Sequence, residues 1–142
     1  MTREEHEQRV KLWTDALEHG GYSQGTGWLK QQEVGGGEKF CCLGVACMVY
    51  RDQGLVLRME PGSRYNGTTP FRFGEDNSTG ALPGAVRRWF GLQEESGEFW
   101  NKDKTSNSLA LLNDGGAGFA DIAATIKARP EGLFDESLID DE

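Results

Sequence analysis

Three observations predict an α+β fold: a small single domain of four to five short helices packed with one or two short β-hairpins. Apolar residues recur at helical spacing in three separate stretches, and short β-like runs lie between them. The 20 glycines against 4 prolines supply tight turns to join those pieces. With four Trp, seven Phe and three Tyr in 142 residues, the chain is too aromatic for disorder. A chain of this size buries about two-thirds of its unfolded surface without staples. We therefore expect one globular domain over residues 1–130 and an acidic tail over residues 131–142.

The first helix follows from Thr2, a capping residue, with Glu4 and Glu5 at the positive end of the helix dipole. Val10, Trp13 and Leu17 form its buried stripe, His6 falls on the same side, His19 lies in the last turn, and Gly20-Gly21 ends it. Both histidines are read as structural. Trp28-Leu29-Lys30 and Lys39-Phe40-Cys41 are strand candidates around the Gly35-Gly36-Gly37 turn, which makes a hairpin. Cys42, Val45, Ala46 and Val49 then mark a second helix, apolar nearly all round, that ends near Gly54.

The excursion from Leu55 to Gly80 holds β-like runs at Leu55–Met59 and Pro70–Phe73, read as a second hairpin. Pro83 opens a short third helix with Val86, Trp89 and Phe90 inward and Arg87 and Arg88 outward. Two further helices surround a glycine turn: Leu109, Ala110 and Leu112 belong to one, and Phe119, Ile122, Ala123 and Ile126 to the other. Pro130 closes the pattern. In the tail, Leu133, Phe134, Leu138 and Ile139 are apolar enough to dock on the body or on a partner.

Charge and cysteine usage narrow the function classes. Net charge is −8, but six carboxylates and no Lys or Arg fall in Glu131–Glu142, leaving −2 on the rest. A nearly neutral body argues against duplex DNA as a partner. No apolar run reaches the ~20 residues a membrane span needs. The charged start "MTREEHEQRVKLW" and an odd, clustered cysteine count point to a reducing, cytoplasmic compartment.

All three cysteines sit in "FCCLGVAC", Phe40 to Cys47. A structural metal site needs about four spaced ligands, and adjacent Cys41 and Cys42 with Cys47 inside a helix lack that spacing. Neither a metal nor another cofactor is expected. Cys42 and Cys47 read as core, which leaves Cys41 as the one cysteine with an exposed role at the helix start, where a thiolate is favoured. Paired with a histidine, Cys41 or Cys42 would make a cysteine-dependent hydrolase or transferase. "LLNDGGAGFADIAATI" has the outline of a helix-turn-helix, a nucleic-acid regulator, but Asp114 and Asp121 balance Lys127 and Arg129. Arginines and aromatics interleave at Arg58, Arg64, Tyr65, Phe71, Arg72, Phe73, Arg87, Arg88 and Trp89, a composition suited to a nucleotide's phosphates and base.

The motifs W-x-x-A-L (Trp13 to Leu17), Y-x-Q-G-x-G-x-L (Tyr22 to Leu29) and F-C-C-L-G-V (Phe40 to Val45) occur in that order. They are followed by L-P-x-x-V (Leu82 to Val86) and L-A-x-L-N-D-x-G (Leu109 to Gly115), then F-x-x-I-A-x-x-I. Over residues 10–128 this resembles a family of small uncharacterised proteins of bacteriophages and bacteria. The resemblance implies a phage or prophage origin and little chemistry. It singles out Tyr22, Gln24, Cys41, Asn113 and Asp114 as polar or reactive members of otherwise apolar and glycine motifs, to line a common pocket; the alternative is that Gln24 and Asn113 bond loop backbone and Asp114 caps the last helix or forms an Asx-turn before Gly115. Gly54–Gly80 and the tail lie outside these motifs, so specialisation is expected there. The reading that follows is a non-enzymatic phage accessory protein binding a host protein or a small nucleotide-like ligand, to blunt a host defence. Its candidate ligand residues are Tyr22, Gln24, Cys41, Arg72, Arg87, Arg88, Asn113 and Asp114.

Overall fold

In the computed structural model, which describes residues 1–140, the α+β class stands. Five α-helices, a four-stranded antiparallel sheet and a separate β-hairpin make up one domain among the described residues. Helix α1 (Arg3–His19) starts in a capping box: Thr2 Oγ1 accepts from the Glu5 N–H, and Glu5 Oε1 accepts from the Thr2 N–H, at 3.0 and 2.9 Å. Its predicted stripe is buried, His6 included, with Thr14 added.

Strands β1 (Lys30–Glu33), β2 (Glu38–Phe40), β3 (Met59–Pro61) and β4 (Thr68–Phe73) order as β2-β1-β4-β3, so the two expected hairpins share one sheet through the β1–β4 pairing. Strand boundaries differ from expectation: Cys41 leaves β2 to become the N-cap of α2, and β4 begins at Thr68 instead of Pro70. Trp28 and Leu29 precede β1, since the Leu29 N–H donates to Thr79 O at 2.6 Å instead of joining the ladder. Leu55–Arg58 is likewise outside β3. Polar β1 owes its strand state to neighbours on both sides: Gln31 sits opposite Lys39 on β2 and Pro70 on β4. Lys30 is buried there against Phe71, 4.3 Å from the ring centroid, and paired with Glu38 at 3.0 Å.

Helix α2 (Cys42–Asp52) is the core element, with Cys42 through Cys47 and Val49 buried. Trp13 from α1 donates its indole N–H to Cys42 O at 3.0 Å and lies against Phe90. Helix α3 (Gly84–Trp89) is followed by strands β5 (Glu98–Trp100) and β6 (Ser106–Ser108), a hairpin that hydrophobic periodicity does not flag because Phe99 is its one buried apolar residue, beside the buried polar Ser108. Helix α4 (Leu109–Asp114) leads to α5 (Phe119–Lys127), whose stripe Phe119, Ile122, Ala123 and Ile126 is buried, with α1 packed beside it.

The chain end through Asp140 lies on its own body; Asp141 and Glu142 of the expected tail fall outside the described residues. Leu133, Phe134 and Ile139 are buried, and the backbone is tied to Gln93, Gly91 and Met1. Phe134 meets His6 edge to face at 4.6 Å and carries the Arg129 guanidinium over its ring. Arginine can only donate, so His6 Nδ1 accepts from Arg129 Nη2 (3.3 Å) and Nε2 carries the proton, donating to Phe90 O (2.9 Å).

Burial, and the Arg129 charge, hold the His6 pKa below its ordinary 6.5, although the Phe90 bond and Glu136 act the other way. The unfolded chain therefore binds more protons below about pH 6.5, and stability falls as pH drops through that range. Urea unfolding should show stability falling between pH 7.5 and 5.5, and His6→Gln should flatten the slope over that interval. An unchanged slope in the variant would remove this assignment.

Candidate functional site

Helix α2 begins without a side-chain cap, because its N-cap is Cys41. The free Cys42 N–H is satisfied from across the fold: Asn113 Oδ1, at the end of α4, accepts it at 3.1 Å. Asn113 is 1 % exposed, and both its polar side-chain atoms are bonded. Its Oδ1 also accepts from Gln24 Nε2 (2.9 Å), and its Nδ2 donates to Gly25 O (2.8 Å). Gln24 Nε2 donates as well to Ala117 O at 2.7 Å, and Asp114 Oδ1 accepts the Gly27 N–H at 2.9 Å. Tyr22 packs edge to face on Phe40 at 5.0 Å.

Four of the motif residues, Gln24, Cys41, Asn113 and Asp114, thus meet where the 22–27 loop, the start of α2 and the end of α4 join. Their polar atoms bond backbone or one another. The junction is a clamp, and its geometry matches the backbone-bonding role given above for Gln24 and Asn113. Asp114 receives a loop amide and so pins residues 24–27 to α4.

The exposed role expected for Cys41 is corrected: the residue is 4 % exposed. Burial pushes its thiol up to about 11, although the Gly44 and Leu43 amides at the helix start pull the other way. Cys42 and Cys47 are fully buried and shifted well up by the same cause, and Cys42 Sγ donates to Leu109 O at 3.5 Å. His6 has both ring nitrogens committed to Phe90 and Arg129, and His19 is exposed beside Glu18. Among the described residues, neither histidine is hydrogen-bonded to a cysteine thiol. A thiol reagent at pH 7 should label none of the three cysteines within minutes under native conditions and all of them in denaturant. Rapid native labelling of Cys41 would reopen thiol chemistry.

The arginine and aromatic region does not form one platform. Phe73 is core, Phe71 faces Lys30, and Trp89 has Arg9 over its ring at 4.5 Å. Arg87, expected to face outward, turns back and donates to Leu92 O at 2.7 Å. It stabilises the end of α3, as a cation near a helix C-terminus does. Arg72 projects from β4 and is exposed, its side chain without a hydrogen bond or ion pair among the described residues. The Arg88 side chain is also exposed and without a bonding partner among the described residues, and it lines a cleft of about 450 Å³.

That cleft lies between the segment Val56–Arg58, the turn Gly74–Asp76, Pro83–Ala85 at the start of α3, and Arg88 in its last turn. Arg58 is held in place by Glu60, by Gly74 O (2.8 Å) and by Asn77 Oδ1 (2.7 Å). Asp76 Oδ2 accepts the Gly84 N–H at 3.0 Å. Val56 is 95 % exposed. Val56, Glu75 and Asp76 are not motif residues; the signal that finds them is their place in Gly54–Gly80, the excursion outside the motif blocks.

Among the described residues no three His, Cys, Asp or Glu side chains converge as a metal site, and no helix is long and apolar enough to cross a membrane. No curated protein and no solved structure matches the chain. A family model, Domain of unknown function (DUF8296), matches residues 6–130. That span runs from His6 in α1 to Pro130 after α5 and contains both the clamp and the cleft, and the chain belongs to this family of domains.

Proposed function

We propose that the protein is a non-enzymatic phage accessory protein acting in the cytoplasm, which holds a segment of a host protein in the Val56/Arg88 cleft. One observation carries the site: an almost fully exposed Val56 lies on the rim of a cleft in which the Arg88 side chain has no hydrogen bond or ion pair among the described residues. An isolated exposed valine is ordinary, but one beside an unpaired guanidinium in a formed cleft suits an apolar anchor with an adjacent carboxylate. Buried free cysteines are consistent with a reducing compartment. The phage origin, and with it a role in blunting a host defence, rests on the motif resemblance.

The cleft's chemistry favours a protein segment over a nucleotide. Arg58 and Arg88 are offset by Glu75 and Asp76, and no aromatic side chain lines the walls to stack on a base. Peptides selected from a random display library against the purified protein provide the test. The enriched sequences should pair an aliphatic or aromatic residue with Asp or Glu. They should shift the amide resonances of Val56, Gly74 and Ala85, and lose at least about tenfold in affinity against Val56→Asp and Arg88→Glu. Selected peptides that bind both variants normally would sink the assignment. Saturable shifts of the same resonances with mononucleotides would replace the protein segment by the nucleotide-like ligand.

A further inference from the structure

We propose a second docking site, on the opposite chemistry: the cleft beside Trp100 accepts a lysine- or arginine-bearing peptide segment. In the β5–β6 hairpin the alternation that buries Phe99 puts Glu98 and Trp100 on the outer face. Trp100 is 49 % exposed, an unusual state for an indole in a short hairpin. Its flank is fixed, since the bond from the Trp100 N–H to Glu131 O (2.8 Å) brings the chain end alongside. Gly132 then passes so close that a Cβ there would stand 3.1 Å from the indole. A cleft of about 510 Å³ opens over this surface, with Glu94 and Gln93 on the facing loop.

Charge complementarity selects the occupant. The carboxylates of Glu94 and Glu98 carry no hydrogen bond or ion pair among the described residues, and no Lys or Arg lines the cleft. A cation placed over the indole face gains from the ring quadrupole, and two unpaired carboxylates at the rim add Coulomb attraction. An aliphatic lysine or arginine stem would cover Phe99 and Gly132 while its charged head stays at the rim. Neutral and acidic segments lack the cation–π and Coulomb terms. The site is separate from the Val56/Arg88 cleft and does not depend on that reading.

The test is a titration of the full chain with short Lys-Gly and Arg-Gly peptides, followed through the indole N–H resonance of Trp100, assigned with Trp100→Phe. We expect saturable shifts of that resonance and of the Glu98 and Gly132 amides, and none with a Glu-Gly peptide. Trp100→Ala and the double variant Glu94→Gln/Glu98→Gln should each weaken binding at least about fivefold, while Val56→Asp should leave it unchanged. Equal binding by Trp100→Ala, or shifts confined to the acidic chain end, would mean unspecific attraction to a protein of charge −8 and would overturn the proposal.

Discussion

Gly44→Ala is expected to prevent the chain from folding stably. Gly44 lies inside α2, where the helix rests directly on the backbone of Leu29, and a Cβ built there would stand 1.6 Å from the Leu29 carbonyl oxygen and 2.5 Å from its carbon. Backbone cannot yield as a flexible side chain can, and α2 is buried on nearly every face, so relief requires moving the core helix. In an exposed helix the same substitution would help by about 1 kcal/mol. Here the overlap should cost about 4 kcal/mol or more, a large part of a domain's usual 5–15 kcal/mol. Urea unfolding followed by circular dichroism measures it. Gly37→Ala is the control, since nothing lies within 4 Å of its added methyl. A Gly44→Ala protein within 1 kcal/mol of wild type would contradict the helix-on-backbone contact.

Asn113→Ala should be the costliest change at the clamp. The side chain is 1 % exposed and makes three hydrogen bonds, to the Cys42 N–H, the Gly25 carbonyl and the Gln24 amide. Truncation leaves the first amide of α2 and a loop carbonyl without partners, each worth about 1–3 kcal/mol when buried. A total near 3 kcal/mol follows, after some relaxation and entry of water. Asn113→Asp should be no better. Its second oxygen would face the Gly25 carbonyl where a donor is needed, and its charge would be buried. Binding of peptides in the Val56/Arg88 cleft should survive in whatever fraction of these variants remains folded.

The helices were legible because their stripes are complete. Val10, Trp13 and Leu17 needed only period 3.6 and the Thr2 cap, and α5 needed only Phe119, Ile122, Ala123 and Ile126. Strand β1 was not, since Lys30-Gln31-Gln32-Glu33 has no apolar alternation and is made a strand by β2 and β4. At the clamp, the motif order pointed to Gln24, Asn113 and Asp114 together. What local pattern could not show is that α4 supplies the missing cap of α2. The burial of Cys41 has the same origin: the helix start it occupies would be open on an isolated hairpin, but the 22–27 loop and the end of α4 close over that junction. Arg87 was misread in direction because a helical wheel does not contain the Leu92 carbonyl that follows the helix.

That the motif residues form a clamp and the ligand-facing surface lies elsewhere is tested most directly by a double-mutant cycle. Urea unfolding of Gln24→Ala, Asn113→Ala and the double variant reads the coupling between two side chains 2.9 Å apart. A clamp predicts that Asn113→Ala alone costs about 3 kcal/mol and that the pair is coupled by about 1–2 kcal/mol, since either truncation releases the same loop. Two single variants within about 0.5 kcal/mol of wild type, with no coupling, are what free ligand-facing residues would give, and that result would contradict the account.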